Sequence, residues 1–136
     1  MIDKKGAIRW IVTRVNQLFS LTNSILTLQE TGGSVTTDGT EQDVYRVETP
    51  MGVFEPVAVQ INFSLQTAAE TVVVRTYYRN IGGGALELED EVAFVGVQDP
   101  ELKTITLLPN RFGIWVSMER TAGGAFAYVW NVIYRS

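Results

Sequence analysis

The chain is organised around a strict alternation of apolar and polar residues between positions 56 and 66. The apolar positions are Val57, Val59, Ile61, Phe63 and Leu65. A period of two is typical of a β-strand that has one face on a hydrophobic core and the other toward water or a partner. The pattern therefore predicts a strand over Val57–Gln66, with this apolar set facing the core.

The same period recurs toward the C-terminus, where turn residues separate the segments. Six further strands are predicted: 44–48, 71–79, 86–95, 103–108, 113–119 and 126–135. In 71–79 the alternation assigns one face to Val72, Val74, Thr76 and Tyr78. In 126–135 both faces are apolar, which predicts a strand covered on both sides. The short connections 67–70 and 122–124 have the length and residues of hairpins.

Many short strands without intervening helices indicate an all-β domain. We predict a mainly β fold, an antiparallel two-sheet sandwich of jelly-roll-like type preceded by an N-terminal amphipathic helix. An immunoglobulin-like sandwich is the second choice.

The predicted N-terminal helix covers residues 7–28, whose apolar residues recur at helical spacing. An alternative is that the helix ends near Phe19 and that 24–30 begins a strand, because Ser, Thr and Asn are mediocre helix formers. The apolar stripe has to be buried either on its own domain or on a neighbouring subunit. The candidate interface residues are Ile8, Trp10, Ile11, Val15, Leu18 and Phe19.

Residues 31–43 are rich in Gly, Thr and Asp, which is typical of a loop or flexible linker. They divide the chain into a helical arm (1–30), this linker, and a β-sandwich domain (44–136).

The 136 residues suffice for one domain, and 46% of them are hydrophobic. The formal charge of −4 combines a basic head, +3 over residues 1–14, with an acidic body, which argues against nucleic acid as the main ligand. No apolar run is long enough to span a membrane, and no signal-peptide cleavage site follows the head. We therefore expect a soluble protein.

The chain contains neither His nor Cys, which removes the usual general base, the usual transition-metal ligand and any thiolate. No nucleophile or phosphate-loop motif is present. The acidic run Glu87, Glu89, Asp90, Glu91 lacks a calcium-loop spacing and is explained as well by a strand edge protected from pairing. We expect no catalytic residues, no cofactor and no metal.

Exposed aromatic side chains on a sandwich face can stack on sugar rings, and a neighbouring Arg can add hydrogen bonds. An alternative function is therefore a carbohydrate-binding β-sandwich module, and its candidate ligand surface is Tyr77, Arg79 and Trp115. The other interpretation is that these aromatic residues lie in the core or in a subunit interface, where Trp and Tyr are enriched.

Four segments carry a resemblance to a known class of proteins: Thr71–Arg79, Val95–Pro100, Leu108–Ile114 and Glu119–Gly124. Over residues 71–124 the chain resembles small β-sandwich virion proteins, of the capsid-decorating or cementing type, from tailed phages and related prokaryotic viruses. The resemblance implies a structural role in the virion. The implied partners are further copies of this chain, in a homo-oligomer, and a capsid or tail protein lattice. It implies no catalytic or binding residues.

Overall fold

The computed structural model describes residues 26–48, 55–110 and 112–136, which form eight β-strands. The strands are β1 (Leu28–Thr36), β2 (Gln42–Val47), β3 (Glu55–Asn62), β4 (Thr71–Tyr78), β5 (Glu87–Val95), β6 (Leu102–Thr106), β7 (Ile114–Ala122) and β8 (Ala127–Arg135). The seven strands predicted from the alternation correspond to β2 through β8. The described part of the chain contains no helix.

The strands form two four-stranded antiparallel sheets, so the mainly β, two-sheet prediction is confirmed. Sheet A has the order β1-β8-β3-β6, and sheet B has the order β2-β7-β4-β5. Strand β1 pairs with β8, β2 with β7, β3 with β6, and β4 with β5. Chain neighbours are thus usually placed in opposite sheets.

The two predicted hairpins are wrong for this reason. The connection 67–70 leads from β3 in sheet A to β4 in sheet B, and 122–124 leads from β7 in sheet B to β8 in sheet A. A short turn rich in Gly suits a tight reversal within a sheet and a step between sheets equally well. The hairpin that does form is β4–β5, across the longer connection 79–86.

The core lies between the sheets and is filled by the alternating faces that the sequence indicated. On β4, Val72, Val74, Thr76 and Tyr78, which the alternation assigned to one face, are all buried, and Val73 on the other face is buried too. Tyr128 and Val132 on β8 are fully buried, and Trp130 packs against the same cluster. Stacked and edge-on contacts of Phe63 with Phe94 (4.5 Å between centroids) and Tyr128 (5.4 Å) join strands from both sheets. Each such aromatic pair adds about 0.5–1.5 kcal/mol beyond its buried area.

Strand β3 departs from the predicted alternation at both ends. A register shift between Pro56 and Ala58 changes the phase, so Val57 is only half-buried while Val59, Ile61 and Phe63 are buried. The strand ends at Asn62, and Leu65 lies beyond it with 54% of its surface exposed. A bulge adds one residue to a strand and reverses which side chains face inward, and nothing in the composition marks its position.

Among the described residues the outer face of β8 is partly covered: Asn131 and Ile133 are half-buried, and Val129 is 61% exposed. That both faces of this strand are covered stays a prediction.

Residues 28–36, divided in the sequence analysis between the arm and the linker, form strand β1. The two glycines in this strand allow it to approach β8 closely. A Cβ atom on Gly33 would lie 2.9 Å from Cζ2 of Trp130, and one on Gly32 would lie 2.9 Å from the Trp130 carbonyl oxygen. From Leu28 onward the chain is a strand and not a helix. The alternative in which a strand begins near the end of the arm is therefore the better interpretation of these residues.

The predicted helix up to residue 25, with its candidate interface residues Ile8, Trp10, Ile11, Val15, Leu18 and Phe19, lies outside the described residues. Over the described ranges, no helix is long and apolar enough to cross a membrane.

Candidate interaction surfaces

The outer face of sheet B brings two of the three predicted ligand residues together. Tyr77 on β4 and Trp115 on β7 are cross-strand partners, and their rings stack with centroids 4.5 Å apart and planes inclined by 21°. Arg46 on β2 is the partner of Trp115 on its other side, and its guanidinium carbon lies 4.8 Å from the indole centroid. The indole therefore has a neighbour on each side within the chain itself.

Arg79, the third predicted residue, has a different role. Its Nε donates to the carbonyl oxygen of Gly84 (2.7 Å), and its Nη1 and Nη2 donate to the carbonyl oxygen (2.5 Å) and carboxylate (3.1 Å) of Glu48. These bonds tie the β4–β5 turn to the end of β2. Because every guanidinium nitrogen already donates, Arg79 is a structural tie between two strand ends.

Arg75 organises the rest of this face. Its Nε donates to Glu91 (2.6 Å), its Nη1 donates to Glu119 (2.5 Å), and Glu41 lies 3.6 Å from Nη1. We call these four residues the Arg75 cluster. Hydrogen bonds to Glu119 and Glu91 raise the pKa of Arg75 above its ordinary value. Charge-assisted bonds of this kind, shared by three strands and a loop, fix the relative positions of those elements.

Glu41 connects the cluster to the aromatic pair. Its Oε1 accepts hydrogen bonds from the hydroxyls of Tyr77 (2.6 Å) and Ser117 (2.5 Å). Burial opposes ionisation of this carboxyl, but the bonds from Ser117 and Tyr77 and the charge of Arg75 outweigh it and lower its pKa. A carboxylic general acid needs a raised pKa, so the environment of Glu41 is the opposite of what a glycosidase acid requires.

The acidic run on β5 is distributed between partners. Glu91 binds Arg75, and Glu89 accepts from the hydroxyl of Thr76 (2.8 Å). Over the described ranges, no three acidic side chains are grouped so that they could hold a metal ion. The run occupies an edge strand of sheet B, where charge discourages pairing with another chain.

The outer face of sheet A is different in character. Of the seven ion pairs among described residues, six lie on or beside the outer face of sheet B, and one, Arg135 with Glu55 (3.4 Å), lies at one end of sheet A. The outer face of sheet A also carries one carboxylate on its edge strand β1, Glu30, which accepts from Nδ2 of Asn131 (2.9 Å). The residues beside it on β8, β3 and β6 are uncharged. They are Ala58, Gln60, Thr104, Val129, Asn131 and Ile133, with Leu102 beside them.

Sequence reasoning found Tyr77 and Trp115 from residue type alone but missed Arg46, Glu41 and Glu48. These three lie in or beside β2, about 70 residues before β7. Their places depend on the β2–β7 register, which contains a shift between Asp43 and Tyr45. Local alternation could have assigned Arg46 to an outer face, but it gives no information about the strand opposite.

Comparison with known proteins gives no match, either to a family model or to a curated protein.

Proposed function

We propose that this chain is a viral structural protein, a homo-oligomeric β-sandwich that decorates or cements a capsid or forms a small capsid or tail component. The observation that carries the proposal is the strand order. Eight antiparallel strands in two sheets, paired first with eighth, second with seventh, third with sixth and fourth with fifth, follow the arrangement of a jelly roll. Jelly rolls build viral capsid domains, and also lectins and cupins, so the strand order supports the virion role by fold-level analogy.

The contrast between the two outer faces supports self-association through sheet A. On sheet B the charged residues are held by one another, and Trp115 and Tyr77 are stacked together. On sheet A the outward residues of β8, β3 and β6 between the Arg135–Glu55 pair and the opposite end are uncharged, Glu30 on the edge strand β1 is the neighbouring carboxylate, and Val129 and Leu102 are 61% and 51% exposed. Depletion of charge at the centre of a patch distinguishes interface cores from the rest of a protein surface.

The carbohydrate-binding module stays the alternative, with Tyr77, Arg79 and Trp115 as its ligand surface. A sugar ring stacks on a free aromatic face, whereas Trp115 has Arg46 on one side and Tyr77 on the other. The donors of Arg79 are also engaged. The geometry of these residues therefore favours the structural role.

The proposal is tested by light scattering on the full chain after size-exclusion chromatography. We expect the mass of an assembly of two or more chains, each of 15.1 kDa. Val129→Asp, which places a charge among the uncharged outward residues of β8, β3 and β6, should reduce that mass because an unpaired charge is costly to bury. Val95→Asp is the matched control, since Val95 is 65% exposed on the other sheet and should leave the mass unchanged.

A monomeric wild-type chain would contradict the homo-oligomer. A Val129→Asp variant that assembles like the wild type would contradict the assignment of the contact to sheet A. Binding of a glycan, with a loss of binding in Trp115→Ala, would favour the alternative.

A further inference from the structure

A cavity of about 320 Å³ opens between the β1–β2 loop and the β7–β8 turn. It is lined by Gly39 from the loop and by Arg120, Thr121, Ala122 and Gly123 from the end of β7 and the turn. Its volume is at the lower end of the range for small-molecule pockets, about 300–1,000 Å³. The cavity is therefore large enough for a small ion or group, and one strong charge lies in its wall.

That charge has no carboxylate partner among the described residues. Of the five arginines that the structure describes, Arg120 alone has no described carboxylate oxygen within 4.0 Å. Two carboxylates belong to nearby loops, but both are bound locally. Asp38 accepts from the backbone and hydroxyl of Thr40, and Glu70 accepts from Thr67 and the amide of Gly124. Hydrogen bonds from Thr40 lower the pKa of Asp38, and the charge of Arg120 adds a smaller effect in the same direction.

The guanidinium is held at one nitrogen and unused at the other two. Its Nη1 donates to the carbonyl oxygen of Gly123, which fixes its orientation. Its Nε is buried and meets no acceptor, and no hydrogen bond within the described chain involves Nη2. Nε and Nη2 form one edge of the guanidinium, and that edge is a two-donor fork that matches two oxygens of a carboxylate or phosphate. An unsatisfied buried donor of this kind usually marks a group that water or a ligand completes.

We propose that this cavity binds one oxyanion, a carboxylate or phosphate group, and that a small rotation of the Arg120 guanidinium opens the buried Nε so that Nε and Nη2 hold the anion side-on. Gly39, with φ +91°, leaves room beside the guanidinium, since a Cβ atom there would lie 3.5 Å from Nη2. Gly123, with φ +82°, shapes the turn, and a Cβ atom there would meet the Ala69 carbonyl oxygen at 2.7 Å. The proposal is independent of the virion role.

The test is a titration of the full ¹⁵N-labelled chain with inorganic phosphate and, separately, with acetate, at constant ionic strength set with chloride. We expect saturable shifts of the Arg120 Nε–H and of the Gly39 and Gly123 amides, with a dissociation constant on the order of millimolar. Arg120→Lys keeps the charge but not the fork and should bind at least about tenfold more weakly. Arg120→Gln should not bind. Arg135→Gln is the control, because Arg135 is paired with Glu55 on sheet A.

The source of the oxyanion is distinguished by comparing dilute and concentrated protein without added anion. Shifts of the same three resonances on concentration, abolished by Arg120→Gln, support the site and identify an acidic side chain of a second copy as its occupant. Saturation by phosphate or acetate without such concentration dependence supports the site with a free anion. Linear, unsaturated shifts, or equal binding by Arg120→Lys and the wild type, would overturn the proposal. The amide spectrum of each variant also reports whether the fold is intact.

Discussion

Gln66 is the polar side chain on which the join between the two sheets depends. It is 4% exposed, and its Nε2 donates to the carbonyl oxygens of Phe94 (2.7 Å) and Gly96 (2.8 Å). Its Oε1 accepts from the hydroxyl of Tyr128 (3.1 Å), which is fully buried on β8. One amide thus satisfies groups on sheet A and sheet B at once. We predict that Gln66→Leu destabilises the fold strongly, although the Gln and Leu side chains are similar in volume.

The magnitude follows from the groups that lose their partners. Gly96 keeps a bond from Gln98 (3.2 Å), but the Phe94 carbonyl loses its bond from Gln66, and the buried Tyr128 hydroxyl loses its acceptor. A buried unsatisfied group costs about 1–3 kcal/mol, so Gln66→Leu should lower the free energy of unfolding by about 2–4 kcal/mol after the gain from the apolar side chain. Tyr128→Phe alone should cost about 1 kcal/mol.

The assay is urea denaturation followed by tryptophan fluorescence. The double variant should be less destabilised than the sum of the two single variants by about 1 kcal/mol, because removing both partners leaves one fewer unsatisfied group. Gln29→Leu, an exposed residue, is the control and should change stability by less than about 0.5 kcal/mol. A Gln66→Leu variant as stable as this control would refute the reasoning.

Three further predictions concern acid stability, strand packing and the N-terminal arm. The fold lowers the pKa of Glu41 from 4.5, so the stabilisation from its ionised form is present above that pH and is lost as the pH falls through the lower folded value. Glu41→Gln should therefore lose less stability than the wild type between about pH 5 and pH 3, as measured by urea midpoints. Equal losses in the two proteins would contradict this prediction. Gly33→Ala should destabilise by about 1–3 kcal/mol through its contact with Trp130, whereas Gly82→Ala, whose Cβ would meet nothing closer than 3.5 Å, should be nearly neutral in the same measurement. Deleting residues 1–25 should lower the number of subunits per assembly, measured by light scattering, if the arm contributes to the contact between subunits. An unchanged number of subunits would assign the contact to the sandwich alone.

The strands were predictable where alternation was strict and the register simple. On β4 the alternation groups Val72, Val74, Thr76 and Tyr78 on one face, and all four are buried, because a period of two is a local property of the chain. On β8 both faces are apolar, so the pattern does not distinguish the inward set that contains Tyr128 and Val132. These assignments need no knowledge of which strands are neighbours.

What sequence reasoning missed depends on contacts between distant segments. The bulge near Val57 shifts the phase of β3, and the glycines of β1 look like linker composition until Trp130 is placed against Gly33. The same applies to the candidate sites. The stacking of Tyr77 on Trp115 and the engagement of Arg79 by Glu48 depend on the β4–β7 and β2–β7 pairings, which are set by the whole fold.

Sedimentation velocity of the full chain is the most direct test of the proposal that this is a self-assembling structural protein. Over a range from about 1 to about 100 µM, we expect one oligomer of fixed size, or a concentration-dependent shift toward it, since mass action favours assembly at high concentration. A single species of 15.1 kDa at every concentration would rule out the proposed homo-oligomer.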